Sequence, residues 1–301
     1  LVGAEMCIRD RVKVGEVGDK LVASPLARGA GAAMSLVRAD GFCVIPQNSE
    51  GVEAGDTVDV ELYRSLEEIG STAVAIGSHD LILDVMADLL PCMYPGNYLS
   101  STHVGSMGGL MALKRGEAHL APTHLLDEET GEYNIAILKK LFAGEKMALV
   151  KGVERIQGII VKKGNPLGIH EIEDLRGLNY VNRQRGAGTR VLFDYKLKEA
   201  GISPEEIHGY DREAATHMAV AAAVSGGDAD AGMGIQSAAR AMGLDFIEIG
   251  REEYDFAIPV RFLDFPPVQH FLAVLKSREF AERVEKLGGY GLARTGEILY
   301  L

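Results

Sequence analysis

At 301 residues, 47% hydrophobic and 25% charged, the chain is long enough for two or three packed cores and has a globular composition. A formal net charge of -12 and a pI near 5.2 argue against a nonspecific nucleic-acid surface, and no apolar run is long enough to span a membrane. Cys7, Cys43 and Cys92 are odd in number and far apart, which fits a reducing compartment without a disulfide framework. With no basic-then-apolar leader in the sequence, the expected location is the cytoplasm.

In chain order, residues 1–11 are set aside first. Met6-Cys7-Ile8-Arg9-Asp10-Arg11 looks like adapter read-through joined to a partial gene, so the natural protein is expected to be longer at its N-terminus. Residues 12–62 are β-rich and turn-rich. Phe42-Cys43-Val44-Ile45 is a short apolar strand, and Thr57-Val58-Asp59-Val60-Glu61-Leu62 alternates as a half-buried strand does. Between the turns, the small residues 29–37 suit a short helix packed closely on the strands. The charged connector 63–70 is the expected domain boundary.

Beyond it strands and helices alternate. Thr72-Ala73-Val74-Ala75-Ile76-Gly77 is a strand, and Ser78 is the expected N-cap of a helix over 80–90, with Leu81, Val85, Met86 and Leu89 on its apolar face. A strand over 98–104 leads through Thr102, Gly105 and Ser106 into a helix over 108–115. A short strand at 118–121, an acidic loop around Asp127-Glu128-Glu129 and a helix over 134–142 follow. Strands are expected at 147–150 and 156–161, the second long enough to cross between lobes. Leu178-Asn179-Tyr180-Val181-Asn182-Arg183-Gln184-Arg185-Gly186-Ala187-Gly188-Thr189-Arg190 reads as a strand feeding a glycine-rich turn into a helix that runs to Gly201. It holds three arginines and no carboxylate. After a helix opening at 203–206 come a small-residue helix over 213–225, strands at 229–233, 246–249 and 257–262, and helices over 267–287. The pattern is α/β, with mostly parallel pairing expected.

Strand-to-helix turns at Ser78, Ser106 and Thr189 each end in hydroxyl or glycine residues, and helix starts aim unpaired N–H groups and a positive dipole end outward. Three such turns predict a shared anion-binding cleft at the carboxyl ends of strands. Its candidate residues are Ser78, Thr102, Ser106, Arg183, Arg185, Gly188, Thr189 and Tyr254. Ser78 and Ser106 read equally as simple caps, Arg183 or Arg185 as a surface cation paired with Asp211 or Glu213, and Tyr254 as a hinge-packing ring. The eight histidines form no metal pattern: His119 and His124 are five apart across Pro122. The run Gly105-Ser106-Met107-Gly108-Gly109 lacks the lysine of a phosphate loop, and no nucleophile elbow is present. No catalytic residue is expected, and the chain reads as a binder.

Two resemblances sharpen this. Gly29-Ala30-Gly31-Ala32-Ala33-Met34-Ser35-Leu36-Val37-Arg38-Ala39-Asp40-Gly41-Phe42, then Ile45-Pro46 and Glu50-Gly51-Val52-Glu53-Ala54-Gly55-Asp56, resembles the C-terminal β-domain of molybdopterin molybdotransferases. Those transferases insert molybdenum into adenylylated molybdopterin. Their catalytic domain has no counterpart in these residues, so the resemblance does not bring the transfer reaction with it. The remainder, with Gly227-Asp228-Ala229-Asp230-Ala231-Gly232-Met233-Gly234-Ile235 and strands crossing near 155–161 and 255–261, resembles the type II periplasmic-binding-protein fold. The kinship is to molybdate-binding proteins and to the effector domains of LysR-type regulators.

The two together imply a truncated β-domain over 12–66 and a binding-protein-like domain over 70–301. Lobe I is expected at about 70–154 and 256–301, lobe II at about 155–255. The implied function is molybdenum cofactor biosynthesis, with molybdate, tungstate or an anionic pterin such as a molybdopterin precursor as ligand, and no cofactor or metal held by the protein. A ligand-sensing domain of a molybdate-responsive regulator is the alternative. The expected partner is the small anion alone, without nucleic acid or membrane, and the resemblance leaves room for a homodimer formed through an upstream part.

Overall fold

A computed structural model describes residues 8–26, 39–45, 51–53, 55–127 and 130–301. The small-residue stretch 29–37 and Glu128-Glu129 of the acidic loop lie outside them. The N-terminal region is a four-stranded antiparallel sheet in the order β2-β1-β3-β4: β1 (Ile8–Val17), β2 (Lys20–Pro25), β3 (Gly41–Ile45) and β4 (Val60–Leu62). Its core is Val12, Val14, Cys43, Ile45 and Ile69. Asp40, in the Ala-Asp-Gly turn, is buried, accepts the Val14 N–H at 2.9 Å and pairs with Arg64 Nη1 at 2.9 Å, which fixes the turn against β1. Residues 8–11, set aside above, are the first part of β1, with Arg11 opposite Phe42.

This sheet does not stand apart. A short helix α1 (Leu66–Gly70), capped by Ser65, leads into β5 (Thr72–Gly77), and β1 lies against β5. A Cβ on Gly15 would overlap Val74, and Val17 is counted in the core of the next lobe.

Lobe I continues with α2 (Leu81–Met93), β6 (Tyr98–His103), α3 (Gly105–Arg115), β7 (Ala121–Thr123) and α4 (Ile135–Leu141). Then comes β8 (Met147–Val161), which runs out of lobe I into lobe II. Lobe II holds β9 (Tyr180–Arg183), α5 (Gly188–Glu199), β10 (Glu213–Ala214), α6 (His217–Gly226), β11 (Ala231–Ile235) and α7 (Gln236–Ala241). The return strand β12 (Asp245–Pro259) pairs with β8 along almost its whole length, and α8 (Pro266–Leu275), α9 (Arg278–Leu287), β13 (Tyr290–Gly291) and β14 (Ile298–Tyr300) close lobe I. The larger sheet runs β10-β9-β11-β8-β12-β7, with β13 and β14 also on β8. One apolar core gathers residues from 73–153 and 254–284, and two smaller ones lie within 159–247.

Three expectations change. Pairing is mostly antiparallel: β8 with β12, β11, β13 and β14, and β12 with β7, while among the described residues the parallel strand pairs are β5–β6, β9–β10 and β9–β11, with a parallel bridge between Ala75 and Leu120. The strands read at 147–150 and 156–161 are one strand of 15 residues, and those at 246–249 and 257–262 likewise merge into one of 15 residues that ends at Pro259, with a 3-10 turn over Val260–Phe262. Lys151 and Arg155 look like strand breakers in sequence. Each is buried against carboxylates, Lys151 against Glu253 and Asp255 and Arg155 against Asp80 and Glu252, so the ladder continues through them. The helix read over 213–225 starts only at His217, because Glu213–Ala214 pairs with β9 and Thr216 caps α6.

Candidate functional site

The two 15-residue strands carry the site where they cross between lobes. β12 slips register against β8 between Glu248 and Gly250 and again between Tyr254 and Phe256. Bulges of this kind bend a strand and re-aim its side chains. Glu252 and Tyr254 lie between them.

The hub is His124, one residue past β7. Asn134 holds that segment: its side-chain oxygen accepts the Leu125 N–H at 2.8 Å and its amide donates to Asp255 at 2.9 Å. Asn134 does so from a left-handed backbone (φ 68°), which asparagine tolerates better than most residues. His124 Nε2 lies 2.8 Å from Ser78 Oγ, and the His124 N–H donates to Ser106 Oγ at 3.2 Å. Across the cleft, α5 comes so close that a Cβ on Gly188 would overlap His124 Nδ1. The glycine there is required by this approach. Gly105, at φ 78°, is required by conformation, since it lets α3 start directly after β6.

From His124 a buried polar chain runs through both lobes. Nδ1 lies 3.3 Å from Glu252 Oε2, out of line for a hydrogen bond. The other Glu252 oxygen takes Arg155 Nη2 and, at 2.5 Å, Gln157 Nε2. Gln157 in turn accepts Thr189 Oγ1–H of α5 at 3.1 Å. Arg155 Nη1 reaches Asp80 at 2.8 Å, and Asp80 caps α2 by accepting the Ile82 N–H at 2.9 Å. The Tyr254 hydroxyl donates to the Ser78 carbonyl at 2.6 Å, its ring lying 4.7 Å from the Arg155 guanidinium carbon. Burial pulls the Arg155 pKa down, but Glu252 and Asp80 outweigh it and hold the guanidinium charged. Burial likewise raises Glu252, and Arg155 and His124 reverse this to leave it well below the usual carboxylate range.

Arg183 sits at the end of β9 with only 9% of its surface exposed. Its guanidinium donates to the Ala214 and Ala215 carbonyls at 3.2 and 3.0 Å and lies 3.1 Å from His217 Nδ1 at the start of α6. No carboxylate pairs with it among these contacts. Burial, with repulsion from Arg155, lowers it to about 10. Burial and the nearby Arg183 push His217 well down, so its imidazole is neutral and able to accept from the arginine.

Of the residues expected from sequence, Ser78, Ser106, Gly188, Thr189 and Tyr254 converge around His124 and the Glu252 chain, and Arg183 lies on the lobe II side. Two do not join them. Arg185 is 79% exposed and faces Asp211 and Glu213 at 3.5 and 3.6 Å, the surface alternative raised above. Thr102 is half-buried on β6, opposite Ile76 of β5, and none of the hydrogen bonds described above reaches it. Ser78 is no cap: Asp80 caps α2, and the Ser78 N–H is taken by the Pro122 carbonyl at 2.9 Å. The cleft also holds two buried carboxylates, Asp80 and Glu252. His124, Glu252, Arg155, Gln157 and His217 were missed. Arg155 and Gln157 did carry a signal, being polar residues at alternate positions of an otherwise apolar strand.

Ser78, His124 and Glu252 follow the order of a hydrolytic triad, but the geometry does not make one. Glu252 is committed to Arg155 and Gln157, its approach to Nδ1 is misaligned, and the Ser78 N–H is spent on Pro122 rather than free for an oxyanion. The arrangement suits holding a polar ligand.

Two lobes joined by two crossing strands, with helix starts and buried polar groups between them, define a binding-protein architecture. The chain belongs to the PBP superfamily, whose domain model matches residues 88–276, and residues 9–63 match the MoeA C-terminal region (domain IV). The uncharacterized protein YvgK of Bacillus subtilis (strain 168) is 32% identical over 238 residues, 78% of this chain and 76% of that protein. Among solved structures, a putative phosphate ABC transporter substrate-binding protein with bound phosphate from Clostridium perfringens aligns with a TM-score of 0.55 at 14% identity, over 72% of this chain and 97% of its own. An ABC-type phosphate transport receptor from Vibrio cholerae gives 0.51 at 18% identity, over 73% and 99%. At these identities the likeness is one of fold.

Proposed function

We propose that the chain is the ligand-binding part of a protein of molybdenum cofactor synthesis, and that its cleft takes a small anion, either molybdate or tungstate or an anionic pterin precursor. The observation that carries this is Arg183, a buried guanidinium bonded to two carbonyls and a neutral imidazole with no carboxylate partner. A buried charge with no carboxylate bonded to it is costly, and an anion between the lobes would offset that cost. The starts of α3 and α5 lie against His124, through Ser106 and Gly188, and add N–H groups and positive dipole ends there. The phosphate-binding descriptions of the two solved relatives agree with an oxyanion in such a cleft, and the region matching the MoeA C-terminus supplies the molybdenum context.

The test is calorimetric titration of the whole chain with molybdate, tungstate, sulfate, phosphate and a pterin phosphate. A ligand that binds only the folded state at a hundredfold excess over Kd should add about 2.7 kcal/mol of stability. If none of these binds and none raises the melting temperature, the reading fails.

A further inference from the structure

We infer that Asn134 is the positioning residue of the cleft: without touching the ligand it fixes the His124 segment against the crossing strand β12, and anion affinity depends on it. For affinity, this rests on the anion reading above. Asn134 stands directly before α4, where an asparagine ordinarily caps its own helix by accepting an N–H of the first turn. Here its side chain makes no cap. Its backbone lies at φ 68° and ψ -30°, outside even the left-handed basin, where ψ is about +30 to +60°. Both features are locally unfavourable. A residue held this way persists only where its surroundings over-determine it.

The surroundings that do so are distant in sequence. Asn134 is 1% exposed. Its Oδ1 accepts the Leu125 N–H at 2.8 Å and the Thr123 hydroxyl at 3.2 Å, one on each side of His124. Its own N–H donates to the Leu125 carbonyl at 2.8 Å. Nδ2 donates to Asp255 Oδ2 at 2.9 Å, 121 positions away, and approaches the Glu253 carbonyl at 3.5 Å, so it brackets Tyr254. The two bracketed rings, His124 and Tyr254, stack with centroids 6.0 Å apart. The β7–β12 ladder ends with Thr123 opposite Asp255, beside a register slip of β12, and stops one residue short of His124. Asn134 carries the attachment past that end. Lys151 Nζ holds Asp255 Oδ2 at 3.0 Å and fixes the far anchor. Turning the amide over would aim its NH2 at the Leu125 N–H and its oxygen at the Asp255 carboxylate, so the bonding pattern admits one orientation. An asparagine serving only its own helix would need none of these partners.

The experiment compares the full chain with Asn134→Gly. Glycine accepts the backbone conformation without strain and forfeits no cap, so what it loses is the set of side-chain bonds. Both proteins are measured where circular dichroism shows them folded. NMR of the histidine side chains without ligand, with His124 assigned through His124→Gln, should show one sharp set of imidazole signals in the wild type and a shifted, exchange-broadened set in the variant. Titration with sodium phosphate and sodium molybdate should give an affinity about ten- to a hundredfold lower in the variant for whichever binds, as for partners that orient metal-holding histidines. Unchanged imidazole signals, or an affinity within about twofold of wild type, would overturn the inference and leave the anion reading standing. If neither probe binds the wild type, the anion reading fails, and the imidazole signals alone decide whether Asn134 positions His124. Should Asn134→Gly not fold, Thr123→Val takes its place. It deletes one bond beside His124 at nearly constant shape, and His124 signals identical to those of the wild type would overturn the inference.

Discussion

His119 ties the N-terminal sheet to lobe I, and this connection should be lost on acidification. Its Nδ1 accepts the Val74 N–H of β5 at 3.0 Å, and its ring also bonds the backbone of Glu16 in β1. The ring is 1% exposed and packs on Phe262 and Phe265. Burial lowers its pKa to about 4, from an ordinary value of 6.5. Because the folded value is the lower one, the unfolded chain binds the proton first as pH falls. Stability is therefore fully present above 6.5, declines from there to about 4, and levels off below. At 1.36 kcal/mol per unit, a depression of this size corresponds to a loss on the order of 3 kcal/mol. Glu252 is also depressed, but it weakens the fold only as pH falls below its own ordinary value of 4.5, so most of the histidine window lies above it. The assay is urea unfolding of the wild type and of His119→Gln at several pH values. Glutamine can make both bonds without titrating in this range. Wild type should lose about 3 kcal/mol more than the variant between 6.5 and 4. Parallel curves, or an imidazole that titrates near 6.5 in the folded protein by NMR, would refute the reasoning.

Gly188→Ala should push α5 away from His124, costing about 1–3 kcal/mol in urea unfolding and weakening whichever anion binds. Arg183→Ala should weaken that anion roughly ten- to a hundredfold by calorimetry, as loss of a charge-assisted hydrogen bond implies. Arg185→Ala, out on the surface, should leave the affinity within about twofold. Lys151→Met should cost about 3–5 kcal/mol, because it strands the buried Asp255 carboxylate, and adding Asp255→Asn should recover much of that in the same denaturation assay.

The alternation of strands and helices was legible because core positions repeat with the right period. The apolar residues of α2 and the strand β5 are plain in the sequence. The direction of pairing was not. It depends on two strands crossing between lobes, and the sequence breaks both apolar runs with charges, at Lys151–Arg155 in β8 and at Arg251–Asp255 in β12. Those charges are tolerated because each faces an opposite charge, some from distant segments: Asp80 is 75 positions from Arg155 and Glu253 is 102 from Lys151. Nothing local signals such a partnership. The site was legible to the same extent. Hydroxyls and glycines at helix starts stand out one turn at a time, whereas His124 acquires its meaning from Ser78 and Glu252, which are far away in sequence. Arg185 shows the converse, since its local context beside two glycines equals that of Arg183 and only the fold separates the buried residue from the exposed one.

The buried charges in the crossing strands are poor evidence of stability, since removing such ions from water costs about as much as their attraction returns. Their positions make better sense as connection. Asp80 begins a lobe I helix, Arg155 and Glu252 lie on the two crossing strands, Gln157 hands on to Thr189, and Thr189 begins a lobe II helix. Each link is a hydrogen bond or ion pair. The two helix starts are thereby joined through a single carboxylate, Glu252. Arg183 stands outside the path and adds charge rather than connection, so it should govern how tightly an anion is held.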